Sequence, residues 1–146
     1  MPRPGKTFRR LWVLILSLPL VPCTLFAEKP SIDSTKMDPS TIFARKSMKV
    51  VFSAHVADRP SHVPSKVRLL RLQAAGNERE VSVMRDDGTQ GDLVKNDGTY
   101  ACTFTMKEPI AGLLSFTVEA AYSDSPEPVR SRPFFVNVMG RIGSTR

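Results

Sequence analysis

Tyr100-Ala-Cys-Thr-Phe-Thr-Met106 and Leu114-Ser-Phe-Thr-Val-Glu-Ala-Ala-Tyr122 decide the fold, because an apolar side chain recurs at every second position in both. Neighbouring side chains of a strand point to opposite faces. This spacing therefore puts Tyr100, Cys102, Phe104 and Met106 on one face and Ala101, Thr103 and Thr105 on the other. Leu114, Phe116, Val118, Ala120 and Tyr122 likewise share a face, opposed by Ser115, Thr117 and Glu119. An amphipathic helix would repeat at three and four residues instead. Between the two stretches, Lys107 to Gly112 turns the chain.

The same period of two extends outward from this pair. Val50, Phe52, Ala54 and Val56 alternate with Val51, Ser53, His55 and Ala57. Val67 to Gln73 offers Leu69, Leu70 and Leu72 to a core, and Glu80 to Arg85 is expected to turn Val81 and Val83 inward. Phe134, Val136 and Val138 mark a last strand, and Ile42-Phe43 a short edge strand. Asp58-Arg-Pro-Ser-His-Val-Pro64, Ala74-Ala-Gly-Asn77 and the Pro-rich Ser123 to Pro128 break the pattern, since Pro cannot join a central ladder. Six or seven strands at roughly 10–15-residue spacing, with no helical period, predict an all-β, antiparallel two-sheet sandwich. Parallel pairs would need long crossovers for which the spacing leaves no room.

One connection is unlike the others. Asp86-Asp-Gly-Thr-Gln-Gly-Asp-Leu-Val-Lys-Asn-Asp-Gly-Thr-Tyr100 holds four aspartates and three glycines between two strands. Ca²⁺ takes six to eight oxygens, often from closely spaced carboxylates and the carbonyls of a Gly-rich turn. Asp86, Asp87, Asp92 and Asp97 are the candidate calcium ligands, although their spacing is not that of an EF-hand loop. The competing reading is turn chemistry, in which Asp-Gly pairs make tight turns and Asp92 accepts hydrogen bonds from backbone amides. A calcium site of this kind would have the weak affinity of extracellular modules, with Kd on the order of 10⁻⁴ to 10⁻³ M.

This run resembles the D-D/N-G-x-x-x-D-x-x-x-x-D-G-x-Y signature of a group of immunoglobulin-like or fibronectin-III-like domains in bacterial surface and exported proteins. It is also similar to a run in the calcium-activated chloride channel regulator proteins, beside their von Willebrand A domain. The resemblance spans roughly Lys46 to Val138 and implies an immunoglobulin-like sandwich in an extracytoplasmic setting. Those domains are mostly accessory modules, and here the run is expected to stand without a catalytic, adhesive or anchoring domain.

Residues 1–27 read as an export signal. Arg3, Lys6, Arg9 and Arg10 precede an apolar stretch from Leu11, and Ala27 suits cleavage before Glu28. The stretch from Leu11 to Ala27 is 17 residues long and interrupted by Pro19 and Pro22, whereas a spanning helix wants about 20. An uncleaved anchor is the alternative, and the membrane enters only through this segment. The residues flanking Arg9-Arg10 fit a twin-arginine signal poorly, and Pro22 before Cys23 departs from lipoprotein signals. The expected order is signal peptide 1–27, polar linker 28–45, sandwich 46–140 and polar tail 141–146, with the mature chain secreted or periplasmic.

Of 21 basic and 14 acidic residues, four basic and no acidic ones fall in the leader, so residues 28–146 carry 17 against 14, a net charge of +3. That is a mixed surface and not a nucleic-acid footprint. Only Cys102 remains after cleavage, so no intramolecular disulfide is possible. Cys102 reads as a small buried hydrophobe, and His55 and His62 as surface residues lacking the three or four ligands of a zinc site. No nucleophile elbow or phosphate loop is present, so no enzymatic activity is expected. A non-catalytic binding or structural module is expected, whose partner is another protein or cell-envelope component. Two alternatives remain. Arg68, Arg71, Arg79 and Arg85 on neighbouring strands could bind an acidic glycan or anionic surface, or a pocket could hold a hydrolase site that the sequence does not reveal.

Overall fold

A computed structural model describes residues 30–57 and 63–140. Residues 1–27, expected to be an export signal, lie outside the described residues, as do His62 and the expected polar tail 141–146. The described residues are all-β, with nine strands: β1 (Ser31–Asp38), β2 (Thr41–Phe43), β3 (Met48–Ala57), β4 (Lys66–Leu72), β5 (Glu78–Met84), β6 (Thr99–Met106), β7 (Gly112–Ala121), β8 (Val129–Arg130) and β9 (Phe134–Met139). They form two sheets. One runs β1-β3-β6 and the other β2-β9-β7-β4-β5, with β8 beside the upper half of β7.

The sheets close on each other through the faces that the alternation selects. Val50, Phe52, Ala54 and Val56 of β3 are buried, as are Phe116, Val118 and Ala120 of β7. Phe52 sits at the centre. Its ring lies 5.6 Å from Phe104 in its own sheet, and 5.1 Å from Phe116 and 5.9 Å from Phe134 in the opposite one. Offset and tilted aromatic contacts of this kind add to the stabilisation from burying the rings. The turn Lys107 to Gly112 thus carries the chain from one sheet to the other, since β6 pairs with β3 while β7 pairs with β4 and β9.

Several expectations are corrected. The described residues form nine strands where six or seven were expected. Ser31–Asp38, inside the segment read as polar linker, pairs antiparallel with β3 and buries Ile32. Its composition is that of an edge strand, polar and charged on the outward positions, so alternation is faint there. β2 pairs parallel with β9, because the rest of the domain serves as the crossover between them. In β5 Val81 is half-buried against the core as expected, but Met84 is buried and Val83 is exposed. The register slips between Leu69 and Leu70, where Leu69 faces Ser82 and Leu70 faces Glu80, and this bulge resets which side chains point inward. Thr117 and Glu119, assigned to the polar face of β7, are buried. Ala74–Gly76 is a short 3₁₀ turn.

Candidate functional site

The acidic connection folds as an Ω-shaped loop with a pinched neck. Arg85 and Ala101 exchange both backbone hydrogen bonds at 2.8 Å. One step further in, the Asp86 carboxylate accepts the amides of Asp97 at 3.2 Å and Gly98 at 2.9 Å. Loops whose ends meet in this way pack mainly on their own side chains. Here that side chain is Asp92, which is buried and accepts Gly88 N–H at 2.6 Å and Val94 N–H at 3.2 Å. A buried carboxylate is tolerable because both oxygens are bonded. Asp97 accepts Thr99 N–H at 2.7 Å, an Asx turn leading into β6.

The loop lies against the outer face of β3 and β6. Thr103 Oγ1 donates to the Gln90 carbonyl at 2.7 Å. Gly91, at φ +95°, lies so close to this face that an added Cβ would stand 2.4 Å from Val51 Cγ1. Only glycine combines that left-handed backbone with that approach.

Of the four predicted ligands, the fold gathers three. Asp86, Asp92 and Asp97 each offer a carboxylate oxygen within 4.8 Å of the other two. Asp87 stands apart from this group. Its carboxylate accepts the Thr89 amide at 3.0 Å and the Thr89 hydroxyl, and lies 3.7 Å from Arg85. The Thr89 hydroxyl, helped by the Thr89 amide and Arg85, holds the Asp87 carboxyl below its ordinary range. Asp87, Asp92 and Asp97 stand five residues apart in sequence, but the neck bonds bring Asp86 round to Asp92 and Asp97 in place of Asp87. The donor set is all oxygen, as a hard cation requires, and an oxygen that accepts one N–H keeps a second lone pair. The three aspartates therefore suit Ca²⁺ chemically, while their amide bonds also account for the loop without a metal.

Two of the four arginines of the predicted stripe, Arg68 and Arg71, are held in close ion pairs. Arg68 donates from Nε to Glu119 at 2.7 Å, from a second nitrogen to the same carboxylate, and to Glu80 at 3.3 Å. Arg130, absent from the sequence-based stripe, donates to Glu119 at 2.8 Å and to Glu78 at 2.7 Å. Lys66 reaches Glu80 at 3.0 Å. Three cations thus face three carboxylates on the outer face of the larger sheet. Arg71 turns to the other side of that sheet and meets Glu108 at 2.6 Å. Burial pushes the Glu119 carboxyl up, but Arg68 and Arg130 outweigh it and hold the group below its ordinary range.

His55 is exposed, in line with its place on the polar face of β3. Cys102 is buried, and burial pushes its thiol up to about 11, far from the range of a nucleophilic thiolate. No helix among the described residues is long and apolar enough to cross a membrane.

No family model matches the chain, and no curated protein matches it. Function has to be read from the geometry.

Proposed function

We propose that this chain is an exported, non-catalytic immunoglobulin-like module that recognises a protein or other cell-envelope component, with calcium stiffening its acidic loop. The observation that supports it best is the strand order. Read in immunoglobulin lettering, β1-β3-β6 corresponds to A-B-E, and β9-β7-β4-β5 to G-F-C-C′, with β2 as an added strand beside G. In antibody domains a disulfide joins strands B and F. The equivalent strands here are β3 and β7, where Phe52 meets Phe116.

Modules of this architecture act through edges and loops. β5 is the outer strand of the larger sheet, and added pairing on such an edge is a common mode of peptide recognition. The balanced charges around Glu119 favour this edge over the arginine face for an acidic glycan, since a neutralised face attracts anions weakly. A photoreactive residue at exposed Val83, in cells that make the protein, should crosslink to one discrete partner. Crosslinks no more discrete than those from a residue in the β7–β8 turn would remove the edge from this reading.

The calcium part is tested by thermal unfolding. A ligand that binds only the native state stabilises it by RT ln(1 + [L]/Kd). At about 5 mM Ca²⁺ and the weak affinity expected, that is roughly 1–2 kcal/mol, or about 4–9 °C in a domain of this size. The rise should vanish with chelator and shrink in Asp97→Asn, which keeps an acceptor for the Thr99 amide. An unchanged midpoint would leave the loop as turn chemistry and take calcium out of the function.

A further inference from the structure

We propose that the end of the sandwich formed by the β2–β3 and β6–β7 loops is a docking tip for an anionic membrane surface. The surface is not part of the acidic loop or of the β5 edge.

Four apolar side chains stand out in solvent at or beside this end. Ile110 is 73% exposed, Leu113 65%, Met139 45% and Phe43 42%. A groove separates the two loops, with Phe43 and Lys46 on one wall and Pro109, Ile110 and Ala111 on the other. Around them are Arg45, Lys46 and Lys107, all exposed. Lys46 Nζ lies 5.9 Å from the centre of the Phe43 ring, so its charge is held beside the apolar surface. Glu108 is the one acid in the segments 43–49, 106–113 and 138–140, and its carboxylate is taken up by Arg71 at 2.6 and 3.2 Å. The tip is thus apolar at its projecting points and positive around them.

Backbone pairing argues for lipid rather than peptide. Ala44 N–H donates to Met139 O at 2.9 Å, Arg45 N–H to Glu108 O at 2.7 Å and Lys46 N–H to Phe43 O at 3.2 Å. These amides are occupied within the fold, so the β2–β3 loop offers no ladder for an added strand. What is left to recognise a partner is undirected apolar contact and positive charge. A bilayer bearing anionic headgroups supplies the complement of both. The same bonds tie the two loops and the end of β9 together, so the tip is preformed. It also lies at the opposite end of the sandwich from Ser31. Ser31 pairs with Ala57 at one end of β3, while Met48 pairs with Met106 at the other.

The test uses residues 28–146, which contain every strand and core residue among the described residues and leave out the apolar stretch that begins at Leu11. This chain has no tryptophan, because the single one is Trp12. Ile110→Trp therefore places one reporter at the tip. Vesicles with about 30% phosphatidylglycerol should sediment the protein and shift the Trp emission to the blue, whereas pure phosphatidylcholine should do neither. Lys46→Gln with Lys107→Gln should weaken sedimentation roughly thirtyfold, from about fivefold per basic residue near an anionic surface. Ile110→Ser with Leu113→Ser should abolish the interaction while leaving the unfolding midpoint unchanged. Failure to bind anionic vesicles, or binding that survives both double variants, overturns the proposal. So does a protein dimer that Leu113→Ser dissolves in the absence of lipid binding, which would assign the tip to a second copy.

Discussion

Glu119→Gln is the most informative single change to the sheet. The Glu119 carboxylate is 1% exposed in β7 and accepts three guanidinium N–H bonds, two from Arg68 and one from Arg130, whose second nitrogen also lies 2.6 Å away as an ion pair. Removing one partner of a buried ion pair typically costs about 3–5 kcal/mol, because a charge is left uncompensated. Two features reduce that here. The Arg68 and Arg130 side chains are 37% and 45% exposed, so water screens them, and each keeps a second carboxylate in Glu80 or Glu78. A loss of about 2–3 kcal/mol is therefore expected, equivalent to roughly 10 °C in the unfolding midpoint. Urea unfolding followed by far-ultraviolet circular dichroism measures it directly. The sign of the pH dependence follows from the lowered pKa of Glu119 in the folded state. A carboxyl depressed by folding contributes stability above its unfolded pKa, and that stability is lost as pH falls through the folded value. The wild type should therefore lose more stability than Glu119→Gln as pH falls below about 4.5, and the two should converge in acid. A loss under about 0.5 kcal/mol at neutral pH, the scale of an exposed pair, would refute the reasoning.

Three further outcomes are expected. Gly91→Ala should destabilise by about 2 kcal/mol, since it sets a Cβ against Val51 at a positive φ; an unchanged urea midpoint would mean that the loop does not sit on β3 and β6. Phe52→Ala should cost about 3–5 kcal/mol, because the ring is fully buried among Phe104, Phe116 and Phe134, and a cost below 2 kcal/mol would place the core elsewhere. With a thiol pushed up to about 11 by burial, Cys102 should resist maleimide in the native protein and react fully in urea. Rapid native labelling would show that β6 opens locally.

Much of the sandwich is legible because period-two burial is a local property. Val50, Phe52, Ala54 and Val56, and Phe116, Val118 and Ala120, are buried where alternation puts them, and Cys102 faces inward as its strand requires. β1 is less legible for a physical reason. An edge strand buries few side chains, so Ser31–Asp38 shows little apolar pattern, and its backbone pairing with β3 carries most of its structure. Val83 misleads because β5 itself carries the extra residue of a bulge, Val81 standing between Ser82 and Glu80 where β4 has adjacent Leu69 and Leu70, and this breaks the period of two. Arg130 was missed as a member of the charged face because only pairing with β7 sets it beside Glu119.

The acidic run divides in the same way. Its Asp-Gly pairs specify turns by themselves, since glycine accepts the positive φ and aspartate caps nearby amides. Which aspartates share a point in space is set by the neck. The Arg85–Ala101 pair and the bonds from Asp97 and Gly98 to Asp86 bring Asp86 to Asp92 and Asp97, and leave Asp87 with Thr89. Likewise the sequence by itself determined strands, turns and a buried face, because each depends on neighbours within a few residues. Only the tertiary structure decided strand order, the pairing of Arg68, Arg71 and Arg130 with glutamates, and the gathering of Phe43, Ile110, Leu113 and Met139 beside Arg45, Lys46 and Lys107. Those depend on contacts between residues tens of positions apart, which no local period encodes.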